Sequence, residues 1–149
     1  GIEWFARHVA PRAALPTRVV GRGLGELGGT PGGNVRVIGE VASLAPWYAG
    51  ARAVIAPIFE GSGMQTKVAE ALMHGKKVIG TPEAFAGYED VAGIAGPCCE
   101  TADEFLSAIE AVAATPPPAS DPTLRDGWQR LYSPDALGRG MAEILGLAE

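Results

Sequence analysis

Two hydrophobic periods alternate along the chain. Short apolar runs of strand length lie at Arg18 to Val20, Val35 to Ile38, Ala53 to Ala56 and Lys77 to Gly80. Between them the apolar positions recur every three or four residues, the spacing of one helical face. Ile2, Phe5 and Val9 share such a face and Pro11 stops the segment, so the chain opens on a helix. Ser43 caps a short helix running through Tyr48, with Pro46 tolerated in its first turn. Trp47 and Tyr48 there read as core and helix packing rather than as a stacking platform. Ser62 followed by Gln65 fits a capping box, which predicts a helix starting there and ending at Gly75. Met64, Val68, Ala71 and Leu72 face a core on that helix, and Lys67, Glu70 and His74 lie together on another face. Gly93 to Ala95 reads as a last short strand, and Thr101 with Glu104 as a second capping box. Phe105, Ile109, Val112 and Ala113 give the ensuing helix its buried stripe. Residues 116–149 read as a linker stiffened by Pro116, Pro117 and Pro118, then closing helices. Ser133 and Pro134 start the last of these, which carries Leu137, Met141, Ile144 and Leu145.

Strands alternating with helices predict an α/β fold, a Rossmann-like parallel sheet with helices on both faces. Ligands bind such sheets at the carboxyl ends of the strands, where the loop from Pro57 to Thr66 would sit. At 149 residues and 47% hydrophobic the chain supports one domain spanning its whole length. The net charge of −5 argues against a general nucleic-acid binder. No apolar run approaches a transmembrane segment, and the first residues lack a signal-peptide profile, so the expected location is cytoplasmic. Cys98 and Cys99 are adjacent, which suits neither a mutual disulfide nor a metal site, and they read as reduced thiols. Gly23 to Gly28 matches the dinucleotide fingerprint G-x-G-x-x-G, but Gly29, Thr30, Pro31, Gly32 and Gly33 follow and would prevent the helix that motif must open. A surface loop is the better reading, with Arg22 as a solvated residue at its start.

The chemistry concentrates between Pro57 and Gly80. Gly61 and Gly63 let backbone amides approach a ligand, and a helix start carrying about +0.5 of charge is an anion site. Lys67 adds a full charge to the first turn. Glu70, one turn on, offers a carboxylate to two hydroxyls, each such bond contributing roughly 1.5 to 3 kcal/mol. Together these outline a nucleoside diphosphate with its ribose. The competing reading is a weak surface pair between Lys67 and Glu70.

Gly61-Ser62-Gly63, Lys67, Glu70-Ala71, Gly75 and Val78-Ile79 resemble the donor-site segment of group 1 glycosyltransferases of the GT-B fold. Val35 to Pro57 is similar to that family's strand, glycine turn, helix and next strand. The resemblance implies the C-terminal half of a retaining GT-B glycosyltransferase. Its donor substrate would be a nucleoside diphosphate sugar, with no further cofactor and no metal. Residues Gly61, Ser62, Gly63, Met64, Gln65 and Thr66 would line the donor, with Lys67 on the diphosphate, Glu70 on the ribose, and Gly39, Glu40 and Val41 against the base. An ordinary βα turn accounts equally well for Gly39 to Val41. Thr81 and Gly87 would border the diphosphate and sugar. Many relatives have a further glutamate upstream, on the donor sugar. A gapless count back from Glu70 puts Ser62 there, and Glu60, two residues earlier, fills the role only if the loop bulges. A solvated loop carboxylate is the other reading of Glu60.

In the family a strand precedes the opening helix. The chain therefore reads as a fragment with that first strand missing, inactive alone, whose acceptor is bound by an absent N-terminal domain. Peripheral membrane contact would run through that absent part. Two other functions share these features: a sugar-nucleotide epimerase of the same fold, and a non-catalytic binding domain.

Overall fold

In the computed structural model, which describes residues 1–22, 34–61, 65–116 and 120–144, strands and helices alternate as the two periods predict. The order is α1 (Ile2–His8), a 3-10 turn at Ala10–Arg12, β1 (Thr17–Val20), β2 (Val35–Gly39), α2 (Ala45–Gly50), β3 (Val54–Ala56), α3 (Thr66–Met73) and β4 (Val78–Gly80). A 3-10 turn at Pro82–Phe85, α4 (Glu89–Ala95), α5 (Ala102–Ala114), α6 (Pro122–Leu131) and α7 (Pro134–Ile144) complete it. β1 pairs with β2, and β3 with β4, both parallel. The second pair is extended by a parallel bridge from Gly80 to Cys98, where the Cys99 amide donates to the Gly80 carbonyl at 2.7 Å. The described strands form these two parallel pairs, and β1 and β3 are not hydrogen-bonded to each other.

Helices cover both faces because successive strand residues point opposite ways. In β4, Ile79 joins Phe5, Val9, Val19, Val35, Phe105 and Ile109 on the side of α1 and α5. Its neighbour Val78 joins Val68, Ala71, Leu72, Tyr88, Val91 and Leu124 on the side of α3, α4 and α6. Ile55 and Ala56 of β3 divide in the same way. The capping box at the start of α5 is present: Glu104 N–H donates to Thr101 Oγ1 at 3.3 Å and Thr101 N–H to Glu104 Oε2 at 3.0 Å.

Three expectations change. Gly93 to Ala95 is the end of helix α4, not a strand: Val91 and Ala95, four apart, are both buried, and Glu89 and Asp90 sit favourably in its first turn. The strand position beside β4 falls to Cys98. The central helix α3 starts at Thr66 rather than at the Ser62 capping box, and its N-cap, Gln65, makes no side-chain cap bond. The short helix α2 runs from Ala45 to Gly50 behind Leu44, with Ser43 Oγ accepting from Ala45 N–H at 3.3 Å. The Gly23 to Gly33 segment, Ser62 to Met64, Pro117, Pro118 and Leu145 lie outside the described residues.

Two glycines lock the second pair of strands in place. Gly75, with φ of 63°, ends α3 as expected: its N–H donates to Leu72 O at 2.8 Å and Lys76 N–H to Ala71 O at 2.8 Å, the reversed bonds of a left-handed helix stop. A side chain there would meet Ser120 Oγ at 2.3 Å and the Asp121 backbone at 2.6 Å. Gly96, with φ of 146°, lies against Val78, whose carbonyl oxygen would stand 2.0 Å from a Cβ.

Gly75→Ala combines left-handed strain of about 1 to 2 kcal/mol with displacement of the start of α6. Urea unfolding should show a loss of at least about 2 kcal/mol; a loss under about 1 would refute the lock. Burial, reinforced by Glu104 and Cys98, pushes the Cys99 thiol from 9.0 up to about 11. The unfolded thiol therefore ionises first, so the contribution of Cys99 is intact below pH 9 and fades as pH rises towards about 11. Against Cys99→Ala, the native chain should lose an extra 2 kcal/mol or so across that interval, and parallel stability curves would contradict the shift.

Candidate functional site

Helix α3 and the loop Pro57 to Gly61 stand at the carboxyl end of β3, as a ligand site in a parallel sheet requires. Two hydroxyls outside the loop fix this arrangement. Tyr88, 1% exposed, donates its hydroxyl to the Gln65 carbonyl at 2.9 Å and so sets where α3 begins. Thr81, 2% exposed, donates to the Ile58 carbonyl and braces the loop. Thr81 is thus a buried tie to the loop. Gly87, half-buried, donates its amide to Glu89 at 2.9 Å.

The first intrahelical bonds of α3 are given by Val68 and Ala69 to the Gln65 carbonyl at 3.0 and 3.2 Å. The amides of Thr66 and Lys67 precede them on an exposed turn and have no acceptor among the described residues. Val68, Ala71 and Leu72 are wholly buried on the far side. The Lys67 side chain is exposed, while Glu70 is half-buried and accepts the Tyr48 hydroxyl on Oε2 at 2.8 Å. The Tyr48 ring stacks on His74, with centroids 4.7 Å apart and planes 11° from parallel. Burial first, then the neighbouring Glu70 carboxylate, pushes the Tyr48 phenol well above its usual range and keeps it a donor.

Lys67 and Glu70 do not form a surface ion pair in this geometry. The ion pairs among the described residues are Arg12 with Asp103 and Arg22 with Glu40, and Lys67 is not paired with Glu70. The carboxylate is drawn to Tyr48 of α2 instead, which leaves the ammonium at the helix start. Tyr48 does pack on a helix, as read from sequence, but its hydroxyl partner was missed. No local signal pairs residues 22 apart.

The remaining candidates are less closely joined. Gly39, with φ of 87°, ends β2, and its carbonyl accepts the Gly21 amide at 2.9 Å. Glu40, exposed, accepts Arg22 Nε at 2.7 Å, an exposed pair of small energetic weight, and Val41 is half-buried. Gly39 to Val41 lie just ahead of α2, which carries Tyr48. Glu60 is exposed at the loop tip and has no partner among the described residues. Gly61 lies under the Gln65 side chain, whose Nε2 would stand 2.8 Å from a Cβ there. Ser62, Gly63 and Met64 lie outside the described residues. Among the described residues no group of three or more His, Cys, Asp or Glu is placed to hold a metal ion. A shallow concavity lined by Thr123, Asp126, Gln129 and Arg130 of α6 includes none of the candidates.

The parallel α/β architecture, with a polar helix start at a strand's carboxyl end, is that of a Rossmann-like domain. The family model of the group 1 glycosyl transferases matches residues 1–115, and the chain belongs to that family. Its chemistry is, in general terms, glycosyl transfer. A comparison with curated proteins found no match. Among the described residues no helix is long and apolar enough to cross a membrane.

Proposed function

We propose that this chain is the donor-binding half of a retaining GT-B glycosyltransferase, which holds a nucleoside diphosphate sugar for hexosyl transfer. One observation carries the reading. Lys67 stays unpaired with Glu70 at the exposed start of α3, while Glu70 is held half-buried one turn further in. A cation and two helix-start amides thus stand at one end, and an oriented carboxylate stands where a diol would lie. The helix start would stabilise the charge growing on the departing diphosphate without help from a metal, as fixed donors do best when they are oriented in advance. Glu60, unpartnered at the loop tip, is the described carboxylate nearest in sequence to the donor sugar's expected place.

The acceptor would bind to a domain outside this chain, and this half alone would not turn over. The two free cysteines, one exposed and one buried, fit a reducing compartment such as the cytoplasm.

A thermal-shift screen of the intact protein with UDP, GDP and ADP identifies the base, since a ligand at a hundred times its Kd adds about 2.7 kcal/mol. Glu70→Gln should then weaken the best ligand by about 1 to 2 kcal/mol in calorimetry, with little change in unfolding. Lys67→Ala should weaken the diphosphate far more than the plain nucleoside, and less so at high salt. Equal loss of both ligands in the Lys67 variant, or lost stability in place of affinity in the Glu70 variant, would remove the donor-site assignment. Release of an epimerised free sugar, rather than a glycoside, would remove the transferase assignment while leaving the pocket.

A further inference from the structure

We propose that Tyr48 is a positioning residue, which aims the Glu70 carboxylate and thereby sets how strongly the site prefers a ribose diol to a deoxyribose. The inference rests on the donor-site reading above.

A glutamate on a helix has three side-chain torsions, and an unrestrained carboxylate samples several directions before any ligand arrives. Here the Tyr48 hydroxyl takes one acceptor position on Oε2 at 2.8 Å. Among the described residues this leaves two positions on Oε1 and one on Oε2, enough for the two donors that a vicinal diol supplies. Tyr48 can direct the carboxylate only if it is itself fixed, and it is fixed twice. Its ring lies flat on His74, one turn beyond Glu70 on the same helix. The residue after it, Ala49, accepts the ammonium of Lys76 on its carbonyl at 3.2 Å, and Lys76 is 2% exposed just past the end of α3. The segment carrying Tyr48 is thus tied to both the middle and the end of α3. The phenol is protonated at neutral pH, and its half-burial beside a carboxylate raises its pKa further, so the donor is permanent. A tie serving stability alone would act on every ligand alike, whereas an aimed carboxylate acts on the sugar hydroxyls.

The test is calorimetry on the intact protein with whichever of UDP, GDP and ADP binds best, and with its 2′-deoxy and 3′-deoxy counterparts. The native protein should prefer the ribose form by roughly tenfold or more, the order of one charge-assisted hydrogen bond. Glu70→Gln should remove most of that preference. Tyr48→Phe, which keeps the ring and its stack, should lower the preference several-fold. The affinity gained from the diphosphate should be unchanged, and the double variant should be no worse than Glu70→Gln alone. His74→Ala keeps the phenol but frees its ring, and should shift the preference in the same direction even if the Tyr48 variant does not fold. A native ribose preference in both the Tyr48 and the His74 variants, with Glu70→Gln having abolished it, overturns the positioning role and leaves the donor site standing. A preference that survives Glu70→Gln instead overturns the donor-site reading itself.

Discussion

The structure depends on how helix α3 is stopped. Val68, Ala71 and Leu72 are wholly buried, so the helix can enter and leave the core only at its ends. At its far end the left-handed turn at Gly75 reverses the chain within two residues, and Lys76 passes at once into the buried strand β4. Glycine reaches that backbone conformation at no steric cost, and the start of α6 fills the space a side chain would need. Everything downstream follows from β4 arriving there. Its alternate residues feed the two cores, Gly96 packs against Val78 at its start, and the Cys99 amide bonds the Gly80 carbonyl at its end.

The same burial explains how the polar face is arranged. A helix with one face sealed in the core must carry its chemistry on a narrow stripe, and Lys67, Glu70 and His74 occupy that stripe at spacings of three and four. Left to themselves, a lysine and a glutamate at this spacing would pair weakly at the surface. Tyr48 prevents that by offering Glu70 a better partner in a drier place. The result is a helix with charge at its wet start and an oriented acceptor further in.

Much of this was legible in the sequence because it is local. Gly75 as a stop, the Thr101 and Glu104 box, and the apolar runs of β1 to β4 are all written within a few residues of where they act. The errors came where distant contacts compete with a local pattern. Ser62 and Gln65 have the spacing of a capping box, yet the start of α3 is set by Tyr88, 23 residues further on. Gly93 to Ala95 looked like a strand because three residues show no period. The pair that identifies it as helical, Val91 and Ala95, is recognised only once both are seen buried against the same core. The Tyr48 to Glu70 bond was hidden in the same way: each residue was noticed, but nothing in the chain announces their meeting.

These long-range hydroxyl bonds share a physical character that bears on function. Tyr48, Tyr88 and Thr81 each place one buried or half-buried hydroxyl on a group of the β3 to α3 segment. A buried hydroxyl left without a partner costs free energy, so each of these bonds holds only in the geometry that satisfies it. Three such bonds along one segment make a loop and helix start that are set before a ligand arrives. An anion site made of helix-start amides gains most from that condition, because donors that need not reorganise stabilise developing charge most effectively. The fold therefore uses its interior polar groups to hold the exterior ones in position, and the exposed start of α3 inherits its geometry from hydroxyls that bond it from the buried side.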